Sequence, residues 1–190
     1  MQSRMTAISA RTADAILVAA RAQFTETGYE GSGLRAIASR ANVNVALIGR
    51  YFRSKEGLFL AAIVPHLGIG LILDGPMADF GTRAASVMEM KVSRRFDPML
   101  ALLRAAGSPA CSSALTAAVR AQVINPLAAR LGGENTHQRA MMIFATLAGY
   151  DLSVSLLRLD EDGGDADVAA RRMRRQVLLA DSLQHIVDDE

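Results

Sequence analysis

The sequence predicts an all-α protein in two parts, and three observations predict it. Apolar residues recur at the three- and four-residue spacing of a helix face, the alternation of a half-buried strand is absent beyond residue 60, and Gly, Pro and Asn clusters cut the apolar runs into helix-sized pieces. A short head, residues 1–53, holds three helices with a helix-turn-helix, and residues 54–190 form a larger helical body. At 190 residues and 51% hydrophobic, the chain is long enough to bury two unequal cores.

The head is the more legible part. Its first helix contains Phe24 and ends at Gly28, a C-cap position where glycine is favoured. Glu30-Gly31-Ser32-Gly33 is turn chemistry, and Ser32 is read as the N-cap of a second helix. In that helix Leu34, Ile37, Ala38 and Ala41 share one face while Arg35, Ser39 and Arg40 look outward. Asn42 breaks it, Val43 is the apolar pivot of the turn, and Asn44 caps a third helix from Val45 to about Phe52. Ile48 and Phe52, four apart, point to a core, which leaves Val45, Ala46, Gly49 and Arg50 outside. A helix lying against base edges needs small side chains for close approach, methyl-sized groups for thymine and an arginine for guanine. Val45, Ala46 and Arg50 supply that mixture.

These pieces resemble the N-terminal DNA-binding domain of the TetR family of transcriptional regulators. The resemblance rests on Phe24 followed by Gly28-Tyr29, on Leu34-Arg35-Ala36-Ile37-Ala38, and on Ala41-Asn42-Val43-Asn44 through Tyr51-Phe52 and Ser54-Lys55-Glu56-Gly57-Leu58. It covers roughly residues 12 to 60, and the ordered set is far more specific than a lone helix-turn-helix pattern. The resemblance implies that Arg35 reaches a base or phosphate and that Asn44 caps the recognition helix beside the DNA backbone. It further implies that Val45, Ala46 and Arg50 face bases and that Tyr51 and Lys55 hold phosphates. With Ser32 these make the expected DNA-binding set. Two positions depart from the family: Gly49 stands where many members have a phosphate-bonding tyrosine, and Gly33 replaces a hydroxyl residue. Gly49 also weakens a short helix by about 1 kcal/mol relative to Ala.

Charge points the same way. Residues 1–60 carry eight Arg or Lys against four acids, a net of +4, whereas the remaining 130 residues balance at −2. Positive potential is thus concentrated at one end, as binding to a polyanion requires; an ordinary Arg-rich solvated surface is the plainer reading of composition alone.

The body reads as helices throughout. The helix begun at Ser54 meets Pro65, which ends or kinks it, and it links the two domains. Asp74-Gly75-Pro76 is a break, followed by a helix from about Met77 to Arg94 and another from Asp97, its cap, to Ala105. After Gly107-Ser108-Pro109 a longer helix runs to Leu131, bent at Pro126, and Gly132-Gly133 closes it. Asn135 or Thr136 to about Leu159 is the most apolar helix, with hydrophobic residues nearly all round. The acidic loop 160–165 leads to a last helix from Ala166 to Ile186.

A helix without a polar face must be covered on more than one side. Either it is the central core helix of one subunit, or one side packs on a symmetry mate together with the last helix. The resemblance implies the second arrangement, a four-helix dimer interface, with Phe144, Leu147, Leu152, Leu156, Val177 and Leu178 as its expected contacts. A twofold would place two recognition helices roughly 34 to 36 Å apart, the spacing of a palindromic operator.

The resemblance also implies an effector cavity in the body, and Met88, Met99, Leu103, Arg104, Met142 and Tyr150 are its expected lining. Met77, Met90 and Met141 lie in the same stretch; methionine adapts to varied apolar ligands, and it equally fills gaps in a core. His66 and Asp151 join Arg104 and Tyr150 as polar groups that would orient a ligand or are simply satisfied or exposed. With aromatics at 5% and no Trp, a small or aliphatic effector is expected.

No catalytic, metal or cofactor site is expected. His66, His137 and His185 are scattered, with no carboxylate or Cys at ligand spacing. Gly31-Ser32-Gly33 and Gly68-Ile69-Gly70 neither follow a strand nor carry a P-loop Lys. Cys111 is either a small core residue or a redox sensor, and Arg171-Arg172-Met173-Arg174-Arg175 is either a solvated helix face or a second nucleic-acid contact. One cysteine allows no internal disulfide. The N-terminus, interrupted by Arg and Asp, does not read as a secretory signal, and the best membrane candidate, residues 140–157, is broken by Gly149, Tyr150 and Asp151. A cytoplasmic protein without a membrane partner is expected.

The sequence therefore points to a homodimeric, ligand-responsive regulator, most readily a repressor, with double-stranded DNA, a small-molecule effector and its own copy as partners. An adaptor that has lost sequence-specific DNA contact is the alternative that Gly49 and Gly33 suggest. A small helical enzyme is another, and it would need a convergent acid and base in the pocket.

Overall fold

The computed structural model describes residues 2–67, 69–92, 96–109, 112–159 and 168–189, with backbone only at 2–8, 91, 92 and 112. Cys111 and the acidic loop 160–165 lie outside them. Every regular element among the described residues is helical. They form two compact units, Met1–His66 with Ala101–Ala118, and Leu67–Leu100 with Val119–Glu190.

The first unit opens with α1, Gln2–Gly31, whose backbone leaves helical geometry at Gly28, φ 71°. The kink has a purpose: it turns Tyr29 back onto Phe24 and onto Phe59 of α4, Lys55–Ile63. Phe24 and Tyr29 stack at 6.2 Å, and both meet Phe59 edge-on, at 5.0 and 5.2 Å. Such pairs contribute about 0.5–1.5 kcal/mol beyond the area they bury. Between α1 and α4 lie α2, Leu34–Arg40, and α3, Val45–Phe52. Ile37, Ala38 and Ile48 are buried against α1 and α4, so the predicted apolar faces are the packed ones. Arg40 adds a bidentate pair to Glu26, both bonds 2.7 Å, tying α2 to α1. The guanidinium holds the Glu26 carboxyl below its ordinary range.

Residues 55–73 are long and apolar enough to cross a membrane by length and composition. The stretch is not one helix, however: α4 stops at Ile63, a 3₁₀ turn Val64–His66 contains Pro65, and α5 is Ile69–Leu73. Leu58, Phe59, Ile63 and Ile72 are buried as core.

The second unit contains α6, Phe80–Val92, after a 3₁₀ turn Met77–Asp79. α7, Pro98–Ala106, belongs to both units; its start is capped by Asp97, whose Oδ1 accepts from the amides of Met99 and Leu100. α8, Ser112–Val119, continues through a π turn Arg120–Ile124 into α9, Asn125–Arg130. The π turn precedes Pro126, which has no amide to give the preceding turn and whose ring crowds it. α10, Thr136–Asp151, is shorter than predicted and passes into a second π turn, Leu152–Leu156. It is also less uniformly apolar than its composition suggests, because Arg139 and Asp151 are among its buried residues. Arg139 donates to the carbonyls of Gly132, Glu134, Ile186 and Val187, closing the end of α11, Val168–Asp188.

Among the described residues the α6–α11 contact is the most extensive between two helices. Gly81 makes it possible: a Cβ there would stand 2.1 Å from the carbonyl oxygen of Ala180. The Gly81 amide instead donates to Gln184 Oε1 at 3.0 Å.

Candidate nucleic-acid interface

The turn between α2 and α3 is built by backbone chemistry. Asn42 adopts left-handed geometry, φ 53°, which Asn tolerates better than most residues. Its amide donates to Ser39 O and that of Val43 to Ala38 O, both at 3.0 Å, the paired bonds of a Schellman motif. Asn44 then caps α3, its Oδ1 accepting from the Ala46 amide at 2.8 Å. The chain turns within three residues, and α3 starts with its orientation fixed at one end.

Ile48 fixes the other side. It is wholly buried, while Val45, Ala46, Gly49 and Arg50 are exposed, Val45 by 39%. The small-residue face predicted to be free is therefore free, and a Cβ at Gly49 would meet nothing within 4 Å. Phe52, expected in the core with Ile48, is half-buried. The exit of α3 is tight. Arg53 takes φ 66° and donates to Gly49 O, Ser54 caps α4 by accepting from the Gly57 amide at 2.9 Å, and a Cβ on Gly57 would lie 2.2 Å from Phe52 O. Glycine at 57 is what lets the first turn of α4 close against the last carbonyl of α3.

The remaining expected contacts are placed unequally. Arg35, Asn44 and Arg50 are exposed on the head. Tyr51 is half-buried and its hydroxyl bonds Ser9 Oγ at 3.0 Å, across 42 positions. Lys55 donates to Glu30 O at 3.3 Å and sits 4.6 Å from the centre of the Tyr29 ring, so its ammonium is held rather than free in solvent. Ser32 corrects the sequence reading. The N-cap of α2 is Gly33, and Ser32 is buried, donating to Gly28 O at 2.6 Å and sharing a 2.9 Å bond with Thr27 Oγ1. The positive φ of Gly28 swings the turn so that this hydroxyl faces inward, which removes it from the DNA-facing set.

The expected cavity lining is drawn from both units. Leu103 and Arg104 belong to the first unit, where Arg104 donates to Thr25 O at 3.0 Å. His66 also lies there, accepting at Nε2 from Arg21 at 2.7 Å, which makes Nδ1 its protonated nitrogen. Met88 and Met99 are core, and Met142 is 58% exposed, as are Met90 and Met141 to similar extents. Tyr150 is engaged in a polar cluster: its hydroxyl donates to the buried Glu89 carboxylate and accepts from Arg175 Nε at 2.9 Å. Arg172 bonds the same carboxylate. Burial pushes the Glu89 carboxyl up, but Tyr150, Arg172 and Arg175 outweigh it and hold the group below its ordinary range. Burial and the adjoining carboxylate push Tyr150 up to about 12. The arginine run of α11 is thus neither a solvated face nor a second nucleic-acid contact throughout, because two of its members reach inward to Glu89. A cleft of about 390 Å³ is lined by Met77, Arg130, Arg139 and Asp188 among others, and one of about 500 Å³ by Ala170, Met173, Arg174, Val177 and Leu178.

The expected dimer contacts divide. Leu147 is buried in its own unit and Phe144 is half-buried, because both lie on the inner side of α10. Leu152 and Leu156 are exposed by 38% and 37%, Val177 by 53% and Leu178 by 67%, so these four form apolar surface. The signals that sequence reading missed are long-range: Ser9–Tyr51, Glu26–Arg40 and Glu89 with Arg172 join residues 42, 14 and 83 positions apart. No local pattern announces them.

Comparison with known proteins agrees with this geometry. The profile described as bacterial regulatory proteins, tetR family, matches residues 16–62, and that described as tetracyclin repressor-like, C-terminal domain, matches residues 78–187. No curated protein matches the chain at a significant level. Among solved structures, a TetR-family regulator from Streptomyces coelicolor A3 is similar with 24% identity and a TM-score of 0.60, over 95% of this chain and 96% of that one. The reduced form of Escherichia coli NemR gives 19% and 0.66, over 94% and 98%. The regulator FadR of Bacillus subtilis, in complex with stearoyl-CoA, gives 18% and 0.65, over 93% and 98%. These likenesses, below 25% identity, concern the fold. Taken with the two profile matches and the exposed, Asn44-capped α3, they lead to one conclusion: the chain belongs to the TetR family of transcriptional regulators, which are DNA-binding, ligand-responsive proteins and not enzymes.

Proposed function

We propose that the chain is a homodimeric repressor that binds a palindromic operator and is released by a small apolar effector, acting in the cytoplasm. The observation that carries this reading is the free face of α3, where Val45, Ala46, Gly49 and Arg50 stand open to solvent on a helix anchored at Asn44 and Ile48. Arg50 pairs with guanine, Val45 and Ala46 touch thymine methyls, and Arg35, Asn44 and Lys55 meet the backbone. The missing tyrosine at Gly49 costs one phosphate bond and lets the helix approach more closely.

The apolar surface of Leu152, Leu156, Val177 and Leu178 supports a twofold partner, since single exposed apolar residues are ordinary but a run of them on adjoining helices is not. The similarity to a regulator bound to stearoyl-CoA supports an effector with an aliphatic chain. Effector and operator then antagonise each other reciprocally, through two states of the helix from Lys55.

Selection of bound fragments from genomic DNA by the purified chain, with and without candidate effectors, tests the reading. Arg50→Ala is expected to cost about 1–3 kcal/mol at one base position and to relax preference there. A folded dimer that retains no DNA at low salt would instead support the adaptor.

A further inference from the structure

We propose that Ser108 and Arg104 are positioning residues of the DNA-binding head, so that segment 101–118 is a working part of that head. The inference rests on the reading of α3 and Lys55 as DNA contacts.

Both residues belong to the first unit. Ser108, itself buried, donates through Oγ to the carboxylate of Glu30, 78 positions away. The backbone carbonyl of that same Glu30 receives Lys55 Nζ at 3.3 Å, and the ring of Tyr29 underlies the ammonium at 4.6 Å. Lys55 is therefore aimed by the pair Tyr29–Glu30, and Ser108 holds that pair from its other side. Arg104 grips the neighbouring turn. Its Nη1 donates at 3.0 Å to Thr25 O, in the last turn of α1 before the Gly28 kink. Carbonyls at a helix end run out of amide partners, and a cation there is favourable.

What these bonds set is direction more than stability. A net hydrogen bond adds little to folding, but it fixes where its partners stand. The turn they hold begins α2 and supports the first residue of α4, which directly follows the recognition helix. A lysine has a long flexible stem, and a phosphate contact from it is weakened by the entropy of ordering that stem. By anchoring Glu30, Ser108 keeps Lys55 ordered before DNA arrives. Arg104 does the same for the end of α1 on which Glu30 is carried.

The test uses the full chain and a duplex recovered by selection with the wild-type protein. Ser108→Ala is expected to weaken binding by about three- to tenfold, the cost of ordering one long side chain, and to make the dependence on salt shallower. Its thermal midpoint should stay near that of the wild type. Ser108→Thr, which keeps the hydroxyl, should restore binding, and Arg104→Met should weaken it in the same direction. In a Lys55→Ala background, Ser108→Ala should cause no further loss. Binding by Ser108→Ala equal to the wild type, or a full additive loss in the Lys55→Ala background, overturns the proposal. Failure of the wild-type chain to select any duplex overturns the DNA reading beneath it, which separates the two.

Discussion

Gly57→Ala tests how closely the recognition helix is held by the helix that follows it. A Cβ at 57 would sit 2.2 Å from the carbonyl oxygen of Phe52, and that oxygen is backbone that cannot swing away. Carbon and oxygen must separate by roughly 1 Å to reach ordinary contact. The start of α4 and the end of α3 therefore have to part, and the Ser54 cap on the Gly57 amide, 2.9 Å long, is strained with them. Overpacking of this kind costs about 1–3 kcal/mol, while replacing a helical glycine by alanine returns about 1 kcal/mol. The net expectation is a loss of up to about 2 kcal/mol, or up to roughly 8 °C in the thermal midpoint of a chain this size. Because α3 ends at the displaced carbonyl, a shift of roughly 1 Å would also take Arg50 out of hydrogen-bonding range of the base it is proposed to read, so DNA affinity should fall more than stability. Gly49→Ala is the control. Beyond its own helix backbone and chain neighbours nothing lies within 4 Å of its added methyl, and the chain should gain about 0.5–1 kcal/mol. Circular-dichroism melting and fluorescence anisotropy on a labelled operator measure both quantities. The reasoning is refuted if Gly57→Ala melts as high as Gly49→Ala and binds DNA as the wild type does.

Other expectations follow from the second unit. Gly81→Ala places a methyl 2.1 Å from Ala180 O and should part α6 from α11, lowering the denaturant midpoint by an amount equivalent to about 1–3 kcal/mol. Tyr150 ionises only near pH 12, above its ordinary value of 10.0. Its stabilising contribution is therefore complete below pH 10 and is lost as pH rises toward 12, and Tyr150→Phe should remove a midpoint near 12 from an ultraviolet titration of the chain. Glu89 works in the opposite direction: with its carboxyl held below the ordinary range, its contribution is present at neutral pH and disappears on acidification, and Glu89→Gln should flatten that acid limb. Leu178→Glu, at a position 67% exposed, should leave the fold of the single chain intact while sedimentation shows the proposed dimer lost.

How much could be read without coordinates depends on the range of the forces involved. Asn42, Asn44 and the span Val45–Phe52 were legible because capping, helix period and left-handed tolerance act within a few residues, and the structure reproduces them. Ser32 was not, since its inward turn depends on the φ of Gly28 four residues earlier, and a serine before a helix looks the same whether it caps or is buried. The arginine run at 171–175 read as surface because the counter-charge, Glu89, is more than eighty residues away. Met88 and Met142 are alike in composition, yet one is core and the other surface, because burial follows from which side of a helix meets a neighbour.

By itself the chain of residues determined that this protein is helical, where the recognition helix begins and ends, and which of its side chains face outward, because periodicity and capping are local. Only tertiary packing decided that Lys55 leans on Tyr29 and Glu30, that Tyr51 is tied to Ser9, and that residues 101–118 belong with the head. Those contacts join partners tens of residues apart, and the energy that selects them exists only once the intervening helices have packed.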